Sequence, residues 1–380
     1  MNNGNNNSLQ NAAKKVLVWD LPTRIFHWLF VLSFIAAWVT NGEDRYLYEH
    51  VFAGYVFFAL LIFRLIWGFS GSHYAKFTNF AYSKSIVVDY IKALFKGGAK
   101  RYVGHNPAGG MAIFIILFLA TILAVSGLMV LGGEEHHGPL KDIVSYSLGS
   151  EMKEIHELAY NALLVLLFIH LVGVLFESLY HKENLISAML SGYKPAAEKS
   201  VPVKVHALLG LTVLTIVAAS AAYYFKGYAM ETKDKPFVPY SNTPLAMNET
   251  YSSECGDCHL AFHPSLLPAR SWKLMLKQQD HHFGEDLSLD EETIKELSKF
   301  MLAHSAEKGI TEASHKIYHS IPADRTPLRI TETRYWKRKH REINDRYWKM
   351  DKVKSKANCG ACHLDAKTGW FEDSNMRLPK

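Results

Sequence analysis

Residues 154–170 read EIHELAYNALLVLLFIH, and the fold turns on how this stretch is read. It lies inside an apolar run, Ile155–Phe176, yet it carries two histidines, His156 and His170, 14 residues apart. At 3.6 residues per turn they fall within about 40° of one helical face and about 21 Å apart along the axis. Ionisable side chains inside a membrane helix are costly and mark function. Four further apolar runs accompany this one: Ile25–Thr40, Val51–Phe69, Met111–Leu131 and Val205–Phe225. Crossing the hydrocarbon takes about 20 apolar residues, so five membrane helices are expected and the fold class is all-α. The first run is short. No small-residue cleavage site follows it, and Asn2–Asn7 is a polar tail, so it is taken as a retained helix rather than a signal peptide.

The chain has 380 residues, 49% of them hydrophobic, but that average conceals a split. Apolar runs end near residue 225, and the remainder is polar and rich in His, Trp and Tyr. A net charge of +6 is modest for this length and gives no nucleic-acid footprint. There is no phosphate-binding Gly loop and no protease triad. Cationic residues cluster in alternate loops, which sets orientation. Lys14, Lys15 and Arg24 precede the first run. Lys76, Lys84, Lys92, Lys96, Lys100 and Arg101 separate the second from the third, and Lys182, Lys194, Lys199 and Lys204 the fourth from the fifth. The loops Asn41–Glu49 and Gly132–Lys153 carry Glu43, Asp44, Glu49, Glu134 and Glu135. The N-terminus is therefore expected inside and the polar tail outside.

All four cysteines lie in two short motifs, ECGDCHLAF (254–262) and NCGACHLDA (358–366). Each is Cys-x-x-Cys-His, the signature of covalent c-type haem attachment. Cys255, Cys258, Cys359 and Cys362 would bind the haem vinyl groups, and His259 and His363 would be axial ligands. Such attachment takes place outside the bacterial cytoplasmic membrane, in agreement with the charge bias. Haem in the tail gives the membrane histidines a meaning. His156 and His50 lie near the outer ends of their runs; His170 and His27 lie further in. The pairs His50/His156 and His27/His170 would each hold a b-type haem between facing helices. The third run has no His, and the fifth only His206. Arg64 lies near the inner end of the second run. It is either a snorkelling side chain or a partner for a haem propionate or a quinone oxygen. His73, His105, His136, His137 and His181 are read as solvent-facing loop residues, with His136 and His137 also candidates for a proton path.

VWDLPTRIFHW (18–28), RLIWGFSGSHYAKF (64–77), GHNPAGG (104–110) and the His156/His170 spacing resemble bacterial cytochrome b561 and the b-type membrane subunits of nickel-iron hydrogenases and formate dehydrogenases. That resemblance, over about residues 14–195, implies four core helices, two b haems on His27, His50, His156 and His170, and electron exchange with membrane quinone. CGDCHLAFHPSLLPARSW (255–272), HHFGEDLSLD (281–290) and RITETRYWKRKH (329–340) resemble small periplasmic dihaem cytochromes c, over about 251–375. This implies bis-His ligation and electron delivery to a small monohaem cytochrome that binds oxygen. A fifth helix and the fusion itself depart from stand-alone members of either family.

For the sixth ligands of the c haems, the residues offer His263, His281, His282, His304, His315, His319 and His340, with Met275, Met301 and Met350 as thioether options. His282 is assigned to the first haem and His340 to the second. His263 stands too close to His259 to reach the opposite haem face. Ser288 and Glu291 are expected to form a capping box ahead of a helix striped by Leu289, Ile294, Leu297 and Leu302. Arg334, Lys337, Arg338, Lys339 and Arg341 form either a solvated face or a dock for propionates or an acidic partner. Trp272, Trp336 and Trp348 are read as haem-packing core.

The expected domains are a disordered cytoplasmic tail (1–13), a four-helix di-haem membrane bundle (14–195) and a fifth transmembrane helix (203–226). A periplasmic linker with Pro236, Pro239 and Pro244 (227–250) and a mostly α dihaem c-type domain (251–380) follow. The expected function is a tetrahaem electron carrier of the inner membrane, linking quinol to a soluble periplasmic cytochrome. Its quinone site is expected by the inner haem near Arg64, and a homodimer is allowed. Two rivals remain at this stage. One is a haem enzyme with an open c-haem site for oxygen, nitrite or peroxide. The other is a redox sensor or anchor without turnover.

Overall fold

The computed structural model describes residues 15–42, 46–196, 200–232, 235, 237 and 243–379. The expected tail 1–13, together with Lys14, Glu43, Asp44, Lys199, Pro236 and Pro239, lies outside the described residues. The elements in order are β1 (Lys15–Leu17), α1 (Leu21–Val39), α2 (Leu47–Ser70), α3 (Lys84–Phe95), α4 (Pro107–Gly133), α5 (Tyr146–Tyr180), α6 (Leu185–Ser191), β2 (Tyr193–Pro195), α7 (Ala207–Tyr224) and α8 (Lys226–Ala229). There follow α9 (Glu249–Gly256), α10 (Ala269–Lys277), α11 (Glu291–Ala303), α12 (Glu312–Ser320), α13 (Arg334–Lys339) and α14 (Asp345–Trp348), separated by 3-10 turns.

Among the described residues, α1, α2, α4, α5 and α7 are long and apolar enough to cross a membrane. The chain divides into two compact units. The first runs up to Asn41 and adds Glu49–Gly127 and Lys153–Ala229; the second holds Gly42–Tyr48, Leu128–Met152 and the chain from Met230 on.

In the first unit, α1, α2, α4 and α5 pack Phe34, Phe57, Leu61, Leu117, Leu123, Ala159 and Leu163 into one core. Leu32, Ile66, Phe118, Leu158, Val165 and Phe168 face outward. In water such a surface would aggregate; in lipid it is the ordinary exterior, because the helices satisfy their own backbone hydrogen bonds. Asp20 starts α1 as its N-cap, accepting from the Thr23 amide at 2.8 Å, while Trp67 Nε1 donates to its other oxygen at 3.2 Å. α7 lies along α1.

Beside the helices stands a short two-stranded antiparallel sheet: β1 pairs with β2, Lys15 opposite Pro195. Strands of three residues are too short to show alternation in a sequence. The pairing depends on Gly192, whose φ of 90° favours glycine and whose carbonyl accepts from the Val18 and Trp19 amides at 2.8 and 3.1 Å.

The second unit is built of short helices around two small cores. Tyr251, Leu267, Trp272, Leu297 and Met301 form one, and Leu266, Ala313, Ile317, Ile321 and Tyr335 the other. α11 does not use the expected capping box. Its N-cap is Asp290, which accepts from the Thr293 amide at 2.8 Å. Ser288 sits instead at φ 50°, with its amide donating to Asp286.

Candidate haem sites

Five imidazole pairs among the described residues have ring centroids 6.1–6.5 Å apart; His263/His304 and His315/His319 make local contacts, and the other three are a bundle pair and the two pairs that include a Cys-x-x-Cys-His histidine. The ring centroids of His50 and His156 are 6.3 Å apart, those of His259 and His282 6.3 Å, and those of His340 and His363 6.2 Å. Two metal–nitrogen bonds of about 2 Å, with about 1.1 Å from each nitrogen to its ring centre, span about 6.3 Å. Each of these three pairs therefore fits one iron between two imidazoles.

In the bundle, His50 lies on α2 and His156 on α5. Nδ1 of His50 bonds the Ala37 carbonyl of α1 at 2.9 Å, and Nδ1 of His156 bonds the Leu123 carbonyl of α4 at 2.9 Å. Donation through Nδ1 leaves Nε2 as the free ligand nitrogen and fixes the ring, as metal-binding histidines require. Ser126 Oγ stands 3.2 Å from the same Nδ1 of His156. Gly127 makes room: a Cβ there would lie 2.9 Å from Cε1 of His156. Sequence reading had no signal for Ser126 or Gly127, because their part is defined by where His156 points.

Toward the other end, His27 on α1 and His170 on α5 lie within electrostatic reach of each other. Nδ1 of His27 is buried without a hydrogen-bond partner. Arg64 does not snorkel. It is 4% exposed, its guanidinium lies 4.5 Å over the Phe77 ring, and its Nη1 is buried and unpartnered. The chain beyond α2 folds back and lays Phe77 and Phe80 over it. A buried cation without a hydrogen-bonding anion is expensive, which suits a group that bears a carboxylate.

The loop histidines are mostly not solvent-facing. His73 is exposed, but His105 is wedged between Trp19 and Phe80 at 4.6 and 4.4 Å, with Nδ1 buried and unpartnered. Burial, with Arg64 nearby, pushes it down to about 3. His136, His137 and His181 are half-buried. In each case the loop packs back on its own unit rather than running through solvent.

In the second unit all four cysteine thiols are free of disulfides. His282 is presented by a tight reversal in which Phe283 and Gly284 both take positive φ. Nδ1 of His259 bonds the Leu260 carbonyl at 2.8 Å. His340 caps the end of α13. Its Nδ1 bonds the Trp336 carbonyl at 2.9 Å, and its ring stacks on Trp336 at 4.3 Å with Trp348 at 6.1 Å. Burial lowers His340 and pushes His363 down to about 4, in each case favouring the neutral imidazole, the form that binds iron.

Several of the other candidates have local partners. His263 bonds Ser265 Oγ at 2.9 Å and the Ala246 carbonyl at 3.1 Å. His304 bonds the Phe300 carbonyl. His315 stacks on Tyr146 at 4.3 Å, with His319 6.5 Å away. His281 is exposed beside Asp280, and Met301 belongs to the core. Trp272 is core, donating to the Pro264 and Leu267 carbonyls, and Trp336 and Trp348 flank His340. The basic face of α13 is solvated: Lys339 pairs with Asp373 and Arg341 with Glu342.

One feature of this unit had no counterpart in the sequence reading. Glu135 hydrogen-bonds Glu372, with Glu312 and Asp373 close by. Burial pushes both Glu135 and Glu372 well above the usual carboxylate range, each helped by the neighbouring carboxylates. An unfolded chain releases these protons near pH 4.3. Above that pH the folded state binds more protons than the unfolded one, so stability falls as pH rises toward the folded values. Glu372→Gln is expected to raise the thermal midpoint by about 2–4 °C at pH 8 and to change it little at pH 5. Equal shifts at both pH values would contradict the assignment.

Imidazole pairs inside a membrane bundle, followed by Cys-x-x-Cys-His sites each facing a second imidazole, define a membrane cytochrome. Residues 18–192 match the family model of prokaryotic cytochrome b561, and residues 251–371 that of dihaem cytochrome c. The chain belongs to the dihaem cytochrome c family in its C-terminal part, and the two matches together mark a fusion of a cytochrome b561-type membrane part with that domain. Its first half is 24% identical to a probable Ni/Fe-hydrogenase B-type cytochrome subunit of Cupriavidus necator, over 48% of this chain and 88% of that protein. The diheme cytochrome c from Rhodobacter sphaeroides is 35% identical, matching 34% of this chain and 100% of its own, with a TM-score of 0.31. The diheme cytochrome from Shewanella baltica OS155 is 29% identical, over 35% of this chain and 94% of its own, with a TM-score of 0.28. The protein is thus a membrane electron-transfer cytochrome carrying b-type and c-type haem.

Proposed function

We propose that the protein oxidises membrane quinol and passes the electrons outward to a soluble periplasmic acceptor, a small monohaem cytochrome c. Four haems are assigned. His50/His156 and His27/His170 hold two b haems. Cys255/Cys258 with His259 and His282 hold the first c haem, and Cys359/Cys362 with His363 and His340 the second. Once bound, these groups supply one-electron redox chemistry whose potentials follow axial ligation, burial and hydrogen bonding.

The observation that carries this reading is that both Cys-x-x-Cys-His histidines in the tail, and the His50/His156 pair in the bundle, have a second imidazole at the separation one iron needs. A second imidazole at both c sites also speaks against an open, substrate-binding haem. The loop charges support an inner N-terminus and a periplasmic c domain. Each quinol yields two electrons and two protons. Arg64, with its unpartnered Nη1, is suited to hold a quinone oxygen or a propionate at the inner end.

A pyridine haemochrome spectrum with haem staining on a denaturing gel tests the cofactor set. Two extractable b haems and two covalent c haems per chain are expected; covalent haem alone would remove the quinone reading. Arg64→Ala is expected to slow haem reduction by quinol roughly tenfold with normal haem content. Unchanged kinetics would take Arg64 out of the site.

A further inference from the structure

The loop Leu128–Met152, between α4 and α5, belongs to the same compact unit as the c domain. Its side chains grip the segment that follows the second attachment site. His136 stacks on Trp370 with ring centroids 5.3 Å apart and planes 26° apart. Glu135 hydrogen-bonds Glu372. Between those two contacts, Phe371 brings its ring to 5.5 Å from His363. Tyr146, the first residue of α5, stacks on His315 at 4.3 Å, nearly parallel. The first site has different neighbours: Phe262 beside His259, and Phe283 beside His282 with Arg329 over its ring.

The loop is also the direct continuation of the wall of the outer b site. Leu123, Ser126 and Gly127 surround His156, and Leu128 opens the loop. At its other end, α5 runs from Tyr146 to His156 without a break. One stretch of chain therefore leads from the outer histidine pair to the residues packed around His363.

We infer that the second c site, Cys359–His363 with His340, is where electrons enter the c domain, and that the first, Cys255–His259 with His282, is where they leave. This rests on the quinol-to-acceptor function proposed above. With haem at both sites, the entering step would move one electron from the site held by His50 and His156, oxidised by one electron, to the site held by His340 and His363, reduced by one, with no change of bond or proton. His136, Glu135 and Tyr146 are positioning residues for that step.

The test uses the full chain in detergent or vesicles, with menaquinol or ubiquinol as reductant and b and c absorption followed together. In Cys359→Ala/Cys362→Ala, haem staining should show the first c haem retained. Dithionite should reduce it, while its reduction by quinol slows at least tenfold and the b haems are reduced normally. In Cys255→Ala/Cys258→Ala, the remaining c haem should still be reduced by quinol. A second variant, His136→Ala/Tyr146→Ala, keeps every haem ligand. Hydrogen exchange should increase in 128–152 and 365–375, and reduction of both c haems should slow together. First-haem reduction at the parental rate in the Cys359/Cys362 variant, or faster exchange with unchanged c reduction, would overturn the order. Parental b haems left oxidised by quinol would instead overturn the quinone function on which the order rests.

Discussion

His156→Ala is expected to halve the extractable b haem while leaving both covalent haems in place. The side chain is held by the Leu123 carbonyl on one nitrogen, so its free nitrogen can serve only the space shared with His50. Alanine is the best helix former, and α5 runs 35 residues from Tyr146 to Tyr180, so the helix itself should survive. The loss is then of the ligand and not of the fold. Gly127→Ala gives an independent version of the same result without removing a ligand. Its new Cβ would meet the His156 ring at 2.9 Å and push it aside, giving a b site that loads poorly. A pyridine haemochrome assay on both variants checks this. Full b haem in His156→Ala would place the haem elsewhere in the bundle.

His340→Met is expected to keep the second c haem and to raise its midpoint potential by on the order of 200 mV, a fraction of the roughly 0.8 V that axial ligation spans. The haem stays because, in the proposed assignment, Cys359 and Cys362 hold it covalently. The potential rises because thioether ligation favours the ferrous state. Methionine can reach the position, since His340 ends α13 and its backbone amide donates to the Trp336 carbonyl whatever the side chain. The first c haem, with His259 and His282 untouched, should keep its potential in the same titration. An unchanged second potential would show that His340 is not a ligand.

Much of this was legible in the sequence because the informative residues repeat by rule. The five apolar runs, the 14-residue spacing of His156 and His170, and the two Cys-x-x-Cys-His motifs each follow from helix geometry or haem chemistry. His282 and His340 were singled out and stand opposite His259 and His363. What sequence reading lacked were features made by chain reversal. His105 was placed in solvent because it sits in a loop; only the fold-back of the chain between α2 and α4 buries it against Trp19 and Phe80. Arg64 could be read two ways until Phe77 was seen to cover it. The Glu135–Glu372 pair joins positions more than two hundred residues apart, which no local pattern records. The capping box failed for a local reason: Asp290, a better-placed acceptor, took the N-cap from Ser288.

The two histidines of α5 also have an electrical consequence. They stand about 21 Å apart along the helix axis, some two-thirds of a hydrocarbon layer of about 30 Å. Moving a full charge across the layer involves about 2.3 kcal/mol per 100 mV, so an electron passing from the level of His170 to that of His156 exchanges about 1.5 kcal/mol with the field for every 100 mV. A membrane that is negative inside pushes that electron outward. In the proposed topology an energised membrane therefore favours quinol oxidation and opposes the reverse flow, and helix α5 sets how strongly voltage biases the direction.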